Sequence, residues 1–319
     1  MLSDQKTVDP RTQSEILEAA GVEVAVLDGK TEDAVAEAVR GAEGLIVDSV
    51  TPVTARVLGA SGTLKVVGRA GIGVDNVDLE AAAEEGITVV HVPDYCLDEV
   101  STHALSLLLA CVRNVPLHDR RVRSGAWDWE AGAPLRRTRG RTLGLAGFGG
   151  IARRLASKLR GFGLEVVAYD PNVKATEMDH FGVEKVEFGE LLDRLDYLSV
   201  HVPLYDESRG LFSTDEFERM ADHAVVVNTA RGGVVDGDAL RGALEADEVE
   251  RAGLDVLESE PPDPEDPLLA REDVVVTPHT AWYSEESRRD LSRGVASDVA
   301  AVIHGEAPTN PVDPETPWV

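Results

Sequence analysis

Residues Thr142–Pro171 read TLGLAGFGGIARRLASKLRGFGLEVVAYDP, and this stretch decides the fold. Leu143–Ala146 is an apolar run that fits a buried strand. Gly147-Phe148-Gly149-Gly150-Ile151-Ala152 opens a helical pattern through Leu159, and Glu165–Tyr169 is a second strand that ends at Asp170-Pro171. The spacing is G-x-G-x-x-A followed by an acid one strand later. Each position has a physical reason: Gly147 makes a tight turn, Gly149 lets backbone approach a pyrophosphate, and the small Ala152 lets the helix pack on the strand. The pyrophosphate would sit on the helix N-terminus formed by Gly150 and Ile151, where unsatisfied N–H groups and the helix dipole favour an anion. Asp170 would accept hydrogen bonds from an adenosine ribose and would repel a 2′-phosphate, which favours NAD over NADP. A Gly-rich turn alone has a bland reading, but strand, turn, helix, strand and acid in this order point to dinucleotide binding.

The pattern continues on both sides. Strands are predicted at Tyr197–Val202, Ala224–Asn228, Arg251–Asp255 and Val274–Thr277, and each ends in a polar or turn residue. Before the fingerprint, Val22–Leu27, Gly44–Val47, Leu64–Gly68 and Ile87–Val92 read as strands separated by helical stretches. Strands alternating with helices mean parallel βαβ units. Glu99–Val115 reads as one buried helix, apolar nearly all round. Pro116–Arg141 reads as irregular, with Trp127 and Trp129 suited either to capping the core or to a subunit contact. A helix from Glu285 to about His304 returns the chain, which finishes in a Pro-rich tail. The fold class is α/β, with two Rossmann-like parallel-sheet domains. One is predicted from residues 1–97 with 289–319, and the other, inserted in it, spans 98–288.

Composition limits the partners. The 319 residues hold 31 basic and 58 acidic side chains, a formal charge of −27, and 43% hydrophobic residues. Such a field repels nucleic acid and anionic membrane, so neither is an expected partner. Lysine is scarce and the acids are spread along the whole chain, which suits a surface kept hydrated in high salt, as in a halophile's cytoplasm. Cys96 and Cys111 make neither a disulfide framework nor a metal site, so no metal is expected. The start MLSDQKTVDP shows no export pattern, and the apolar runs are short of a membrane span; a soluble cytoplasmic location is expected.

In an open α/β sheet, ligands bind beyond the carboxyl ends of the strands. Pro203, Thr229, Ala230, Arg231, Asp255 and His279 all stand at such ends. Arg231 has a planar fork that fits a carboxylate, although a structural ion pair would use it equally well. Glu260 precedes a Pro-Pro break, and beside His279 it would stabilise the imidazolium, which could then donate a proton near neutral pH. A single His at a strand end is more often structural; the company of Glu260 sets this one apart. Most of the other histidines, His91, His118 and His201 among them, read as structural. In the N-terminal half, the cluster Arg69-Ala70-Gly71-Ile72-Gly73 is either a tight turn or a loop whose backbone approaches a small anion.

The segments Leu143–Pro171, VNTARGGVVDGDAL, AGLDVLESEPP and VVVTPH together resemble the D-isomer-specific 2-hydroxyacid dehydrogenases, over nearly the whole chain. The resemblance implies NAD as cofactor, a small 2-oxo or 2-hydroxy acid as substrate, and a homodimer. It implies a catalytic trio of Arg231, Glu260 and His279, a nicotinamide contact at Asp255, and a substrate carboxylate on the Ile72–Gly73 backbone. Formate dehydrogenases of the superfamily carry Gln where Glu260 stands. HTAWYSEES resembles the C-terminal-binding-protein branch, which implies Trp282 as an aromatic wall for an apolar substrate side chain and Arg69 as a carboxylate contact. Phosphoglycerate dehydrogenases usually carry Arg-Ser where this chain has Asp48-Ser49; an Asp there is expected to repel phosphate, so 3-phosphoglycerate is disfavoured as a substrate and stands as the alternative, on the similar motifs elsewhere. An NAD(H)-sensing binding protein with slight catalysis is the other alternative. Thr102 departs from the acid that many relatives carry.

Overall fold

The computed structural model describes residues 7–27 and 29–316. These fall into two compact units: one runs to Cys96 and resumes at Tyr283, and the other is Leu97–Trp282. The second crossing thus precedes Ser284, which caps the helix Glu285–Ile303 in a capping box. The predicted boundary at 288/289 would have cut through the first turns of that helix.

The first unit is built on a parallel sheet of β1 (Gly44–Val47), β2 (Val66–Arg69) and β3 (Thr88–Val90) in that order. The helix Glu285–Ile303 packs on it. A Cβ on Gly68 would stand 2.6 Å from Val299 and 2.7 Å from Val295, so β2 needs glycine for the helix to come this close. Asp298, on the same helix, accepts from the Thr309 N–H at 2.8 Å and the Asn310 N–H at 3.0 Å, and Pro311 bridges Val90. Val22–Leu27, expected as a strand, shows only a one-residue bridge at Val26, which is 52% exposed. With its apolar side chains half out of the core, the segment gains too little burial to hold a ladder.

The second unit carries seven parallel strands: β4 (Thr142–Ala146), β5 (Glu165–Tyr169), β6 (Glu184–Lys185), β7 (Tyr197–Val200), β8 (Val225–Asn228), β9 (Arg251–Leu254) and β10 (Val274–Val276). Their order is β10-β9-β8-β7-β4-β5-β6, so the order reverses at β4 and β7. That switch point is where an open parallel sheet leaves a crevice. Strands β4, β7, β8 and β9 are buried along their whole length, which explains their mostly apolar sequences. Leu143 and Leu145 are wholly buried, each worth ~1.5–3 kcal/mol of transfer free energy.

The long apolar pattern predicted as Glu99–Val115 is two helices, Leu97–Val112 and Val115–Arg123, bent by 62°. Asn114 makes the bend at φ 50°, a backbone region that Asn tolerates. Pro116, expected to open an irregular stretch, lies in the first turn of the second helix, where its missing N–H is no loss. Burial pushes the Cys111 thiol up to about 12, so it is inert core. Trp127 and Trp129 are 91% and 78% exposed and do not cap the core. Among the described residues no single helix is long and apolar enough to cross a membrane.

Candidate active site

The fingerprint turn has the shape a dinucleotide needs. Gly147 sits at φ 87°, and a Cβ there would stand 2.6 Å from the His201 carbonyl oxygen, so β4 and β7 meet only because this residue is glycine. Gly149 is the N-cap of the helix Gly150–Lys158 and gives it no side-chain cap. A Cβ on Gly149 would meet nothing within 4 Å, which leaves open space over the helix N-terminus. Asp170 accepts from the Phe148 N–H at 2.8 Å and the Asn172 N–H at 2.9 Å, so the acid at the end of β5 also braces the glycine turn. Thr229, just past β8, is 8% exposed, and its hydroxyl has no hydrogen-bond partner. An orphaned hydroxyl, an uncapped helix start and a ribose-suited acid along one sheet edge fit NAD. Pro203 follows β7, and its carbonyl anchors Ser208 at 2.7 Å. His201 is a neutral neighbour: burial pushes its imidazole down to about 4.

The trio assembles at the ends of β8, β9 and β10. His279 Nδ1 lies 2.5 Å from Glu260 Oε2, and the other Glu260 oxygen accepts the Leu257 N–H at 3.0 Å. Burial pushes the Glu260 carboxyl up, but the His279 hydrogen bond and charge, the Leu257 N–H and the Arg231 charge outweigh it and hold the group below its ordinary value. Arg231 follows Ala230 at the end of β8, where Asn228 clamps the turn: its amide donates to the Arg231 carbonyl at 2.9 Å and accepts the Ala230 N–H at 3.0 Å. A Cβ on Gly232 would fall on the Leu257 carbonyl. This glycine therefore lets the Arg231 turn lie against the segment that leads to Glu260.

His279 is held at φ 51°, an uncommon region for a residue with a Cβ, where strain of ~1–3 kcal/mol persists only if the surroundings over-determine it. Asp255 does so. Its carbonyl accepts the His279 N–H at 2.8 Å, and its carboxylate accepts the Thr280 and Ala281 N–H groups at 2.9 and 2.8 Å. Asp255 was expected to contact nicotinamide; it is 2% exposed, and its carboxylate is engaged by the loop that carries His279. Trp282, half-buried, follows that loop directly.

In the first unit, Ile72 and Gly73 lie past β2, and His91 Nδ1 donates to the Ile72 carbonyl at 2.7 Å, which fixes the loop. Arg69, expected at a substrate carboxylate, is 4% exposed and donates to the Ala70 carbonyl at 3.1 Å. Its guanidinium occupies the place where a Cβ on Gly71 would be, so it shapes the loop from beneath. Asp48 corrects one expectation. It is 3% exposed, ion-paired to Lys30, and accepts the Thr51 N–H and hydroxyl at 2.9 and 2.6 Å. Its charge is met by Lys30 and its other oxygen by Thr51, so it is no ready source of repulsion for a phosphate. Sequence reading also passed over His103 and Thr277, which are bonded to each other at 2.9 Å. Among the described residues no group of three or more His, Cys, Asp or Glu could hold a metal.

The comparisons with known proteins agree with this geometry. The family described as D-isomer specific 2-hydroxyacid dehydrogenase, NAD binding domain, matches residues 105–281. The chain is 39% identical to the D-3-phosphoglycerate dehydrogenase of Archaeoglobus fulgidus over 92% of its length and 55% of that protein. It is 37% identical to the glyoxylate reductase of Korarchaeum cryptofilum over 88% of its length and 85% of that protein. The crystal structure of the TT0316 protein from Thermus thermophilus superimposes with a TM-score of 0.88 at 33% identity, over 98% of this chain and 99% of that one. The chain therefore belongs to the D-isomer-specific 2-hydroxyacid dehydrogenase family and carries its NAD-binding domain. It spans about half the length of the phosphoglycerate dehydrogenases it matches.

Proposed function

We propose that this chain interconverts a 2-oxo acid and a D-2-hydroxy acid with NAD. The observation that carries the reading is His279, held in a left-handed backbone with its Nδ1 2.5 Å from Glu260, whose carboxyl also feels the Arg231 charge. Arg231 takes the substrate carboxylate in its fork and polarises the neighbouring carbonyl. His279 gives the proton from Nε2 to the carbonyl oxygen in reduction and takes it back in oxidation. Glu260 keeps a charge behind Nδ1, so the imidazole is a proton donor in one direction and a base in the other. The nicotinamide, when bound, supplies or removes the hydride at C2. In the first unit, the Ile72–Gly73 backbone is proposed as a contact for a small carboxylate.

Two substrates compete within this reaction. D-3-phosphoglycerate is supported by the relatives at 38–39% identity, which are D-3-phosphoglycerate dehydrogenases, and the burial of Asp48 against Lys30 removes the objection from repulsion. An acid with an apolar side chain is supported by Trp282 and by the branch whose motif it shares. The phosphoglycerate reading has the wider support. The discriminating experiment is NADH oxidation by the purified protein with phosphohydroxypyruvate, glyoxylate, 4-methylthio-2-oxobutyrate and phenylpyruvate. A preference for phosphohydroxypyruvate selects the first. Preference for the apolar acids, lost in Trp282→Ala, selects the second. Turnover with none would leave an NAD(H)-binding sensor.

The setting is proposed as the cytoplasm of a halophile, from the charge of −27; full activity and stability without added KCl would refute it. A homodimer is proposed through the segment bearing Trp127 and Trp129, 91% and 78% exposed amid arginines in an otherwise acidic chain. Light scattering of Trp127→Ser/Trp129→Ser should then give a monomer, and an unchanged mass would move the interface elsewhere.

A further inference from the structure

We propose that His103, on the helix Leu97–Val112, is a positioning residue for His279 that acts through Thr277 and Asp255. The proposal rests on the reading of His279 as the proton donor. The chain of bonds is continuous. His103 Nε2 lies 2.9 Å from the Thr277 hydroxyl, and that hydroxyl donates to Asp255 Oδ1 at 2.6 Å. A hydroxyl has one proton, so towards His103 it can only accept, and His103 must carry its hydrogen on Nε2. The same ring nitrogen lies 3.4 Å from Asp255 Oδ1. Asp255 then grips the backbone on both sides of His279: its carbonyl takes the His279 N–H at 2.8 Å, and its carboxylate takes those of Thr280 and Ala281.

The backbone strain explains why such a network matters. At φ 51° the His279 conformation is uphill and survives only while the bonds around it hold. Asp255 must therefore stay fixed in its 2%-exposed site. The hydroxyl of Thr277 and the imidazole of His103 are the side chains that reach its Oδ1, and His103 ties it to a helix of sixteen residues packed against β8 and β9. A rigid helix is a better anchor for a strained loop than another loop. His103 touches no reacting atom; its effect is on where the imidazole points.

The test compares wild type, His103→Leu, His103→Gln and Thr277→Val by steady-state NADH oxidation, with His279→Ala as the control for the parent reading. A glutamine amide can replace the Nε2 donor, whereas leucine fills the space without one. His103→Leu and Thr277→Val should lower kcat about tenfold, the scale of a misplaced catalytic group, with KM for NADH within about twofold. His103→Gln should return to within about threefold of wild type. A second readout needs no cofactor: the downfield imidazole Nδ1–H resonance of the His279–Glu260 pair should broaden or move in His103→Leu and return in His103→Gln. If His103→Leu does not fold, Thr277→Val carries both readouts alone. If His279→Ala keeps wild-type turnover, the parent reading falls. If His279→Ala is inactive while His103→Leu and Thr277→Val match wild type in kcat and in the resonance, the positioning role falls. Equal losses in His103→Gln and His103→Leu would likewise overturn it.

Discussion

Replacing Glu260 by Gln isolates the charge behind His279. The carboxylate uses one oxygen for the Leu257 N–H at 3.0 Å and the other for His279 Nδ1 at 2.5 Å. Glutamine can keep the first bond with its carbonyl and turn its NH2 to the imidazole. Nδ1 must then accept, so the ring becomes a neutral tautomer with its hydrogen on Nε2, a poor proton donor. Shape is kept and the ion pair is lost. A hydrogen bond between charged partners is worth about 1.5–3 kcal/mol, which corresponds to roughly a ten- to hundredfold fall in kcat for 2-oxo acid reduction. KM for NADH should change little. The assay is initial-rate NADH oxidation from pH 5 to 9 in constant salt. Retention of more than half the wild-type kcat across this range would refute the role given to Glu260.

Other outcomes follow from the same geometry. Gly232→Ala would drive a Cβ into the Leu257 carbonyl, and with backbone on both sides the Arg231 turn must move; kcat/KM should fall by about a hundredfold, measured against a retained fold by circular dichroism. Asp170→Ala removes the brace on the Phe148 N–H and the ribose acceptor, so NADH affinity should drop about tenfold by fluorescence titration while the preference over NADPH narrows. Glu260 is held below its ordinary value, as is Asp196, where burial is outweighed by the Thr142 N–H, His223 and Arg141. A carboxyl lowered by folding adds stability that is complete above its unfolded value of about 4 and is lost as pH falls through its folded value. The urea midpoint should therefore fall below about pH 4.5, with a shallower fall in Glu260→Gln.

Much of this was legible because its physics is local. The fingerprint turn, the acid at Asp170 and the strand ends at Arg231, Asp255 and His279 are each set by a few adjacent residues. What escaped depends on distant partners. His103 acquires meaning only from Thr277, 174 positions away in the chain. Asp48 reads as a bare negative charge until Lys30, 18 positions earlier, is found paired to it. The stretch from Pro116 read as irregular because the place of Pro116 in a first turn depends on Asn114 adopting φ 50°. Arg69 is a residue type that suits a carboxylate, and it also donates within its own loop.

The central claim is that His279 moves the proton in an NAD-linked reduction of a 2-oxo acid. The measurement that tests it most directly is kcat for NADH oxidation by wild type and His279→Ala, each saturated with the best 2-oxo acid of the panel. Turnover by wild type, a D-configured hydroxy acid as product, and a loss of about 10²–10⁴-fold in His279→Ala are expected. Turnover by His279→Ala within a few fold of wild type would contradict it.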